Sequence, residues 1–93
     1  MARRNPEKLG GKLLAIRQVF GLSQTELIRK IGFENELSRS EISLYESGRR
    51  IPSLIVLRQY AILAGVWVDY LIEDSWELPQ QLPSQMNFKR EKM

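Results

Sequence analysis

Residues 38–53 read SRSEISLYESGRRIPS, and this stretch decides how the remaining chain is interpreted. Serine is a favoured N-cap, so a helix can begin after Ser38, and Gly48 would end it. Arg49 and Arg50 follow the glycine directly. The stretch therefore predicts a short helix with two positive charges just beyond its carboxyl end.

The outward face of this predicted helix carries small side chains. When Ile42 points into the core, a step of about 100° per residue places three serines and a leucine on the opposite side. These residues are Ser40, Ser43, Leu44 and Ser47, and Arg39 lies beside them at the helix start. A major groove of DNA, about 12 Å wide, accepts a helix with such a slim face. The alternative is an ordinary solvated helix face.

Length and composition indicate one small domain. The 93 residues are 43% hydrophobic and 27% charged, which is ordinary for a soluble globular protein. No run of about 18 consecutive apolar residues is present, so no membrane span is expected. The chain has no cysteine, which suits the cytoplasm, and no histidine, the commonest general base. We therefore expect no metal, no cofactor and no enzymatic activity.

Positive charge is concentrated in the first half of the chain. The net charge is +3 and the isoelectric point is near 9.5. Residues 1–50 hold ten lysines and arginines against six acidic residues, whereas residues 51–93 hold four against five. Arg3 and Arg4 form either a free basic terminus or an arm that contacts DNA. The distribution favours a polyanionic partner only if the charges surround a docking element.

The apolar periodicity predicts an all-α fold of five helices, since no window alternates in the manner of a β-hairpin. The first helix would be capped by Asn5, with Pro6 as its first residue. The predicted helices run over 6–19, between Ser23 and Gly32, over 39–47, from Pro52–Ser53 to Gly65, and over 68–72. Residues 1–73 would form the folded domain, and residues 74–93, which contain ELPQQLPSQ, an extended tail.

Three features of these helices bear on packing. Ser23 and Glu26 have the spacing of a capping box, which predicts a well-defined start for the second helix. The fourth helix is apolar on nearly all sides, so we expect another chain to cover part of it. Gly10 and Gly11 lower the helix propensity of the first helix by roughly 1 kcal/mol each, so its first turn is expected to fray.

Three segments together resemble the lambda-repressor-like (XRE-family) helix-turn-helix domain. They are LSQTELIRKIG at 22–32, SRSEISLYESGRRIPS at 38–53 and AGVWVDYLIED at 64–74. The resemblance covers residues 9–73 and implies a compact five-helix domain whose third helix enters the major groove of double-stranded DNA. It implies a bacterial or phage-derived transcriptional regulator, here expected to be a repressor, located in the cytoplasm on the nucleoid.

The resemblance also implies a role for each matching position. Base edges would be contacted by Arg39, Ser40, Ser43 and Leu44; phosphates by Gln24, Ser38, Ser47, Arg49 and Arg50; and an ion pair of Arg17 with Glu46 would hold the third helix against the first. Gln24 would in addition brace the third helix. Arginine binds phosphate oxygens in fork geometry. The alternative for Arg49 and Arg50 is that they are surface arginines that interact with the carboxyl end of a helix. The alternative for Arg17 and Glu46 is that they are two unrelated surface charges.

The loop between the second and third helices is longer than in the family pattern. It comprises residues 33–37, FENEL, and Ile28 stands where the pattern has a small residue. We therefore expect a wider or re-angled helix pair, with Phe33 or Leu37 filling the gap. The two glutamates of the loop should point away from the phosphates, because they would repel them.

Four apolar or aromatic residues remain after a single core is filled, namely Trp67, Tyr70, Trp76 and Leu78. They are expected to form the interface of a homodimer, since two copies on neighbouring half-sites would roughly double the readout. The alternative is that they close the bottom of one core. A second functional hypothesis keeps the fold but makes the protein an antitoxin-like interaction module, whose tail over 74–93 wraps a protein partner.

Overall fold

The computed structural model describes residues 5–83 of the chain. Its helices are α1 (Leu9–Val19), α2 (Gln24–Lys30), α3 (Arg39–Glu46), α4 (Leu54–Ala64) and α5 (Asp69–Ile72). No residue between 5 and 83 belongs to a β-strand. The predicted all-α, five-helix fold is therefore confirmed. Arg3, Arg4 and the last part of the predicted tail, 84–93, lie outside the described residues.

Short-range signals in the sequence set the ends of two helices. The Ser23 hydroxyl accepts a hydrogen bond from the Glu26 N–H at 3.0 Å, and the Glu26 carboxylate accepts one from the Ser23 N–H at 2.8 Å. The predicted capping box of α2 is therefore confirmed. Ser53 caps α4 by accepting from the Val56 N–H. That helix ends at Gly65, whose φ of +77° is strained for residues with a side chain.

The start of α1 differs from the prediction. The helix begins at Leu9, and the expected cap, Asn5, does not serve that role. The carboxylate of Asp74 acts as the cap instead, because it accepts from the backbone N–H groups of Glu7 at 2.9 Å and Lys8 at 3.0 Å. These bonds lower the pKa of Asp74 below its ordinary value. A cap that lies 66 residues away along the chain leaves no local pattern to recognise.

One hydrophobic core holds the helices together, and every helix contributes to it. Its largest fully buried side chains are Leu13, Ile16, Leu27, Ile42, Tyr60 and Leu71. Within the described chain α4 is buried on one side only. On its other side Leu54, Ile55 and Ile62 are 72%, 65% and 54% exposed. These three residues form an apolar strip on the surface.

The segment after α5 packs on the domain rather than extending away from it. Residues 74–82 contain no helix. Leu82 is nevertheless buried as a member of the core, and Leu78 packs against that core. The folded unit therefore includes apolar residues of the segment that we expected to be a tail, and a chain ending at residue 73 would lack them.

A buried lysine fastens α5 and the turn that follows it to α1. Lys12 is 7% exposed. Its Nζ donates hydrogen bonds to the backbone carbonyl oxygens of Tyr70 at 2.6 Å, Glu73 at 2.9 Å and Trp76 at 2.6 Å. Burial lowers the pKa of Lys12, and the nearby carboxylate of Asp74 opposes this effect. The ammonium thus binds carbonyl groups at the end of the short helix and in its turn, and of these the Glu73 oxygen also accepts from the Trp76 N–H at 3.0 Å.

The amino-terminal part of α1 crosses the end of α3 at a glycine. A Cβ atom on Gly10 would lie 2.8 Å from the Glu46 carbonyl oxygen, 2.9 Å from that of Tyr45 and 3.0 Å from the Gly48 nitrogen. All three are backbone atoms, which cannot turn aside as a flexible side chain would. Gly10 was expected only to weaken the helix, but its missing side chain allows α1 to approach α3 closely.

Replacing Gly10 with alanine is expected to lower the free energy of unfolding by about 1–3 kcal/mol, because added atoms force the packed backbones apart. Gly11 provides the matched control, since a Cβ there would meet no atom within 4 Å. Gly11→Ala should raise stability by up to about 1 kcal/mol through helix propensity. Urea unfolding followed by circular dichroism measures both variants. Equal stability of the two would contradict the close approach at Gly10.

Residues 5–83 hold neither a membrane-spanning helix nor a metal-binding cluster. The longest of their helices, α1 and α4, have 11 residues each, whereas a bilayer requires about 20. None of these helices is long and apolar enough to cross a membrane. The aspartate and glutamate side chains of residues 5–83 form no group of three that could hold a metal ion.

Candidate nucleic-acid interface

The outer face of α3 carries the predicted small side chains. Ile42 and Tyr45 are 0% and 6% exposed, and they turn the opposite side of the helix away from the core. That side is formed by Arg39, Ser40, Ser43 and Ser47, which are exposed, and by Leu44, which is half-buried. The structure therefore brings these five residues together on one surface, which we call the α3 face.

Glu46, the last residue of α3, is held by α1. Arg17 donates from Nε to Glu46 Oε2 at 2.6 Å and from Nη2 to Oε1 at 3.1 Å. Its Nη1 donates to the carbonyl oxygen of Leu22 at 3.0 Å, just before α2 begins. The hydrogen bond to Glu46 raises the pKa of Arg17. The two residues expected to pair are thus placed at the junction of α1, α3 and the turn that leads into α2.

Gln24 of α2 is a further donor at this junction. Its Nε2 lies 3.3 Å from Glu46 Oε1 and 3.1 Å from Ser43 Oγ. Both amide hydrogens are therefore committed within the protein, and they tie α2 to the α3 face. A phosphate would take one of these hydrogens only in exchange for an existing bond. The resemblance indicated that Gln24 braces α3, but it did not identify the partners.

The start of α3 is closed by a second capping box. Ser38 Oγ accepts from the Glu41 N–H at 3.3 Å, and Glu41 Oε1 accepts from the Ser38 N–H at 3.0 Å. The Ser38 hydroxyl also donates to this carboxylate at 3.3 Å. Ser38 was expected to bind a phosphate, and in this structure its side chain serves the cap. The Ser-x-x-Glu spacing in the sequence was the signal for the role of Glu41.

Arg49 and Arg50 lie in the turn that follows α3. Gly48, with φ of +79°, redirects the chain there. The backbone N–H groups of both arginines bond to the Leu44 carbonyl oxygen, at 2.9 Å and 3.3 Å, and the Ser47 hydroxyl donates to the same oxygen at 3.1 Å. Both arginine side chains are exposed, and neither forms an ion pair with a described residue. Their guanidinium groups therefore face solvent, where an external anion can reach them.

The amino-terminal end of the described chain borders this turn. Asn5 and Pro6 line a small surface cleft together with Tyr45, Arg49 and Arg50. The chain therefore enters the domain beside the two exposed arginines.

The loop between α2 and α3 turns its apolar residues inward and its acidic residues outward. Phe33 and Leu37 pack against the core, as expected for the gap beside Ile28. A hydrogen bond from the Leu37 N–H to the Phe33 carbonyl oxygen, 2.9 Å long, closes the loop into a turn. Glu34 and Glu36 are exposed. The longer loop is thus a packed element with an acidic tip.

The four residues expected at a dimer interface differ in their exposure and in their contacts within the chain. Tyr70 and Trp76 pack edge to face, with ring centroids 5.1 Å apart, and Leu78 packs against the core. Trp67, which follows α4, is 77% exposed. Tyr70, Trp76 and Leu78 therefore make contacts within this chain, but Trp76 is still 43% exposed, and Trp67 is the most exposed of the four.

The comparisons with known proteins agree with this geometry. A family model described as helix-turn-helix matches residues 13–71, which include α2, α3 and the turn with the exposed arginines. No individual curated protein matches the chain. In helix-turn-helix domains the second helix of the pair lies in the major groove of DNA. The chain belongs to the lambda-repressor-like helix-turn-helix family of DNA-binding regulatory domains.

Proposed function

We propose that the protein is a sequence-specific regulator of transcription that inserts α3 into the major groove of double-stranded DNA. The observation that carries this proposal is the α3 face itself, an exposed surface of short side chains next to two arginines without ion-pair partners among the described residues. Short side chains let the helix backbone approach the base edges. The arginines stand where the phosphates that border the groove would pass.

The base contacts are assigned to the α3 face. Arg39, in the first turn of the helix, reaches guanine through two parallel hydrogen bonds. Ser40 and Ser43 offer hydroxyl groups to base edges, and Leu44 packs on a thymine methyl group. Each bidentate contact supplies about 1–3 kcal/mol of discrimination, so a single copy with one such arginine discriminates modestly.

The phosphate contacts are assigned to the end of α3. Arg49 and Arg50 bind phosphate oxygens, and Ser47 lies beside them as a further donor once its hydroxyl exchanges its internal acceptor. Gln24 and Ser38 support α3 from the protein side, and they contact phosphates only by exchanging their present bonds. Bound to its operator in the cytoplasm, the protein would act as a repressor by excluding the polymerase from the same stretch of DNA.

Selection of bound fragments from random duplexes tests the proposed function. The full chain should enrich one sequence, and Arg39→Ala should lose preference at one base pair of each half-site, worth about 1–3 kcal/mol. Arg29→Ala, which removes an exposed arginine of α2, is the control and should keep every preference. A wild-type protein that enriches no sequence and binds all duplexes equally would refute the proposed function.

A second copy of the chain is the occupant we propose for the apolar strip of α4 together with Trp67. Two copies on half-sites about one helical turn apart would supply the discrimination that one copy lacks. Charge is consistent with this pairing. Arg58 and Asp69 have opposite signs, and in the sequence they flank Ile62 of the strip and Trp67.

Trp67→Glu is expected to shift the protein from dimer to monomer, because it places a charge at the centre of the proposed contact. Val19 provides the control, since it is also an exposed apolar residue, at 42%, but lies on α1. Val19→Glu should leave the dimer intact. Sedimentation equilibrium without DNA reads both variants. A wild-type chain that stays monomeric at concentrations of about 100 μM would contradict a stable pairing without DNA, because the dissociation constant of the dimer would then be well above about 100 μM.

The tail gives less support to a protein-interaction module. Leu78 and Leu82 pack on the core of their own chain, and Asp74 caps α1. A partner that wraps this segment would therefore have to displace it from the domain. Removing residues 84–93 separates the two hypotheses while it keeps every residue that the structure describes, and we expect DNA binding to survive this deletion.

A further inference from the structure

The side chain of Asn5 has no partner within the part of the chain that the structure describes. It is exposed, and it forms no hydrogen bond with another residue between 5 and 83. We expected Asn5 to cap α1, but the carboxylate of Asp74 provides that cap instead. An asparagine amide has two hydrogens to donate. Those of Asn5 are therefore available to a partner outside the protein.

The backbone next to Asn5 is nevertheless held in place. Asp74 accepts hydrogen bonds from the N–H groups of Glu7 and Lys8, which follow Asn5 closely in the chain. Gly10 then packs α1 directly on the backbone at the end of α3. These contacts keep the start of the described chain beside the turn that follows α3. A donor whose place is set before binding loses less conformational entropy when it binds.

Asn5 lines a surface cleft together with that turn, and we call it the amino-terminal cleft. Its lining includes Asn5, Pro6, Arg49 and Arg50, and no acidic residue lines it. Neither arginine forms an ion pair with a described residue. Each guanidinium group carries five N–H donors. Positive charge and hydrogen-bond donors thus surround the cleft without a carboxylate among its lining residues, which favours an anion as its occupant.

We propose that the amino-terminal cleft holds one phosphate group of the DNA backbone, and that Asn5 donates a hydrogen bond to this phosphate beside Arg49 and Arg50. The proposal rests on the proposed function and adds a binding residue to it. The cleft adjoins the turn after α3, where a duplex seated on the α3 face brings its backbone. Asn5 precedes residues 13–71, so the family match does not include it.

Loss of an asparagine contact differs measurably from loss of an arginine contact. Removing a cation reduces the release of counterions and so flattens the salt dependence of binding, whereas an amide is uncharged. Asn5→Ala should therefore weaken binding to every duplex about 3- to 15-fold and leave the slope of log K against log salt unchanged. Asn5→Asp should bind more weakly than Asn5→Ala, because a carboxylate repels the phosphate.

Duplexes with one neutral phosphate locate the contact. The probe is the duplex that the wild-type chain selects from random sequences, made in versions that each carry one methylphosphonate, in which a methyl group replaces a charged oxygen. Fluorescence anisotropy measures the binding of the full chain to each version. For the wild type, neutralising the phosphate in the cleft should weaken binding about 10- to 150-fold. In Asn5→Ala this penalty should be at least about threefold smaller, and the penalties at the other phosphates should stay the same.

Two further variants complete the test. The variant with both Arg49→Ala and Arg50→Ala should show a smaller penalty at the same phosphate, because the two arginines line the same cleft as Asn5. Asn35→Ala is the matched control, since it makes the same substitution at an exposed position in the loop between α2 and α3 that does not line the cleft. It should respond to every methylphosphonate as the wild type does.

Three results would overturn the proposal while the proposed function stands. One is an Asn5→Ala variant with the full affinity of the wild type, and another is a loss of affinity that changes the penalty at no single phosphate. The third is a phosphate that responds to the loss of Asn5 but not to the loss of the two arginines. If the wild-type chain selects no sequence, the proposed function fails, and the proposal fails with it.

Discussion

A Lys12→Met domain is expected to be less stable than the wild type by about 3 kcal/mol, out of the roughly 5–15 kcal/mol by which domains of this size are stable. The ammonium of Lys12 donates to three backbone carbonyl oxygens, and hydrogen bonds to charged groups contribute more than neutral ones. Methionine retains an unbranched stem of similar length but offers no donor. The carbonyl groups of Tyr70 and Trp76 would then lose the donor that Lys12 provides in a partly buried place, whereas that of Glu73 would keep its hydrogen bond from the Trp76 N–H at 3.0 Å.

Lys8→Met is the matched control, because it makes the same chemical change at an exposed position near the start of the same helix. Urea denaturation followed by tryptophan fluorescence is a suitable measurement, since Trp76 supplies one of the three carbonyls. We expect the midpoint of Lys12→Met to fall clearly below those of the wild type and of Lys8→Met. Equal midpoints for the two variants would show that the carbonyl contacts of Lys12 contribute little to stability.

Features that depend on neighbouring residues could be predicted from the sequence. Ser23 and Glu26 form their capping box, and Gly65 ends α4, because each of these signals lies within a single turn of helix. The outward set on α3 followed from helical periodicity alone, since burial of Ile42 determines which side faces away. The five-helix, all-α fold could also be predicted because it depends on the periodicity of apolar residues within each helix.

Features that depend on residues distant in the chain could not be predicted from local patterns, and the pair of Arg17 with Glu46 was expected only because of the family resemblance. The cap of α1 comes from Asp74, and Lys12 finds its acceptors near the end of the described chain. Neither residue differs in the sequence from an ordinary surface charge. The role of Gly10 could not be predicted for the same reason. Only the tertiary structure brings the backbone at the end of α3 within 3 Å of the place that a Cβ atom on Gly10 would occupy. Helix propensity alone therefore gives the wrong sign for the effect of Gly10→Ala on stability.

The candidate site shows the same division. Which residues share the α3 face was predictable, but the state of their polar atoms was not. The bond between Gln24 and Ser43 depends on the distance between two helices, and its direction depends on Glu46. The fates of Tyr70 and Trp76 were also open, since an aromatic residue suits an interface and a core edge equally well.

Replacing both Arg49 and Arg50 with alanine is expected to weaken binding to every duplex by about 30- to 150-fold at moderate salt, which corresponds to about 2–3 kcal/mol. The loss should be nearly the same for the selected operator and for random DNA, because phosphate contacts carry no direct base information. Stability should change little, since both side chains are exposed and make no ion pair with a described residue.

The salt dependence of binding identifies the cause of this loss. Each phosphate neutralised by a cationic side chain releases counterions, so removing two such contacts should reduce the slope of log K against log salt by about two units at most. Lys8→Ala with Arg29→Ala removes the same total charge from exposed positions outside the turn after α3. If that control lowered the slope as much as the Arg49 and Arg50 variant does, general charge and not the position of the turn would account for the binding. The two double variants remove the same total charge and differ only in where it was located. If only the Arg49 and Arg50 variant has a reduced slope, these two side chains neutralise phosphates at the end of α3 directly.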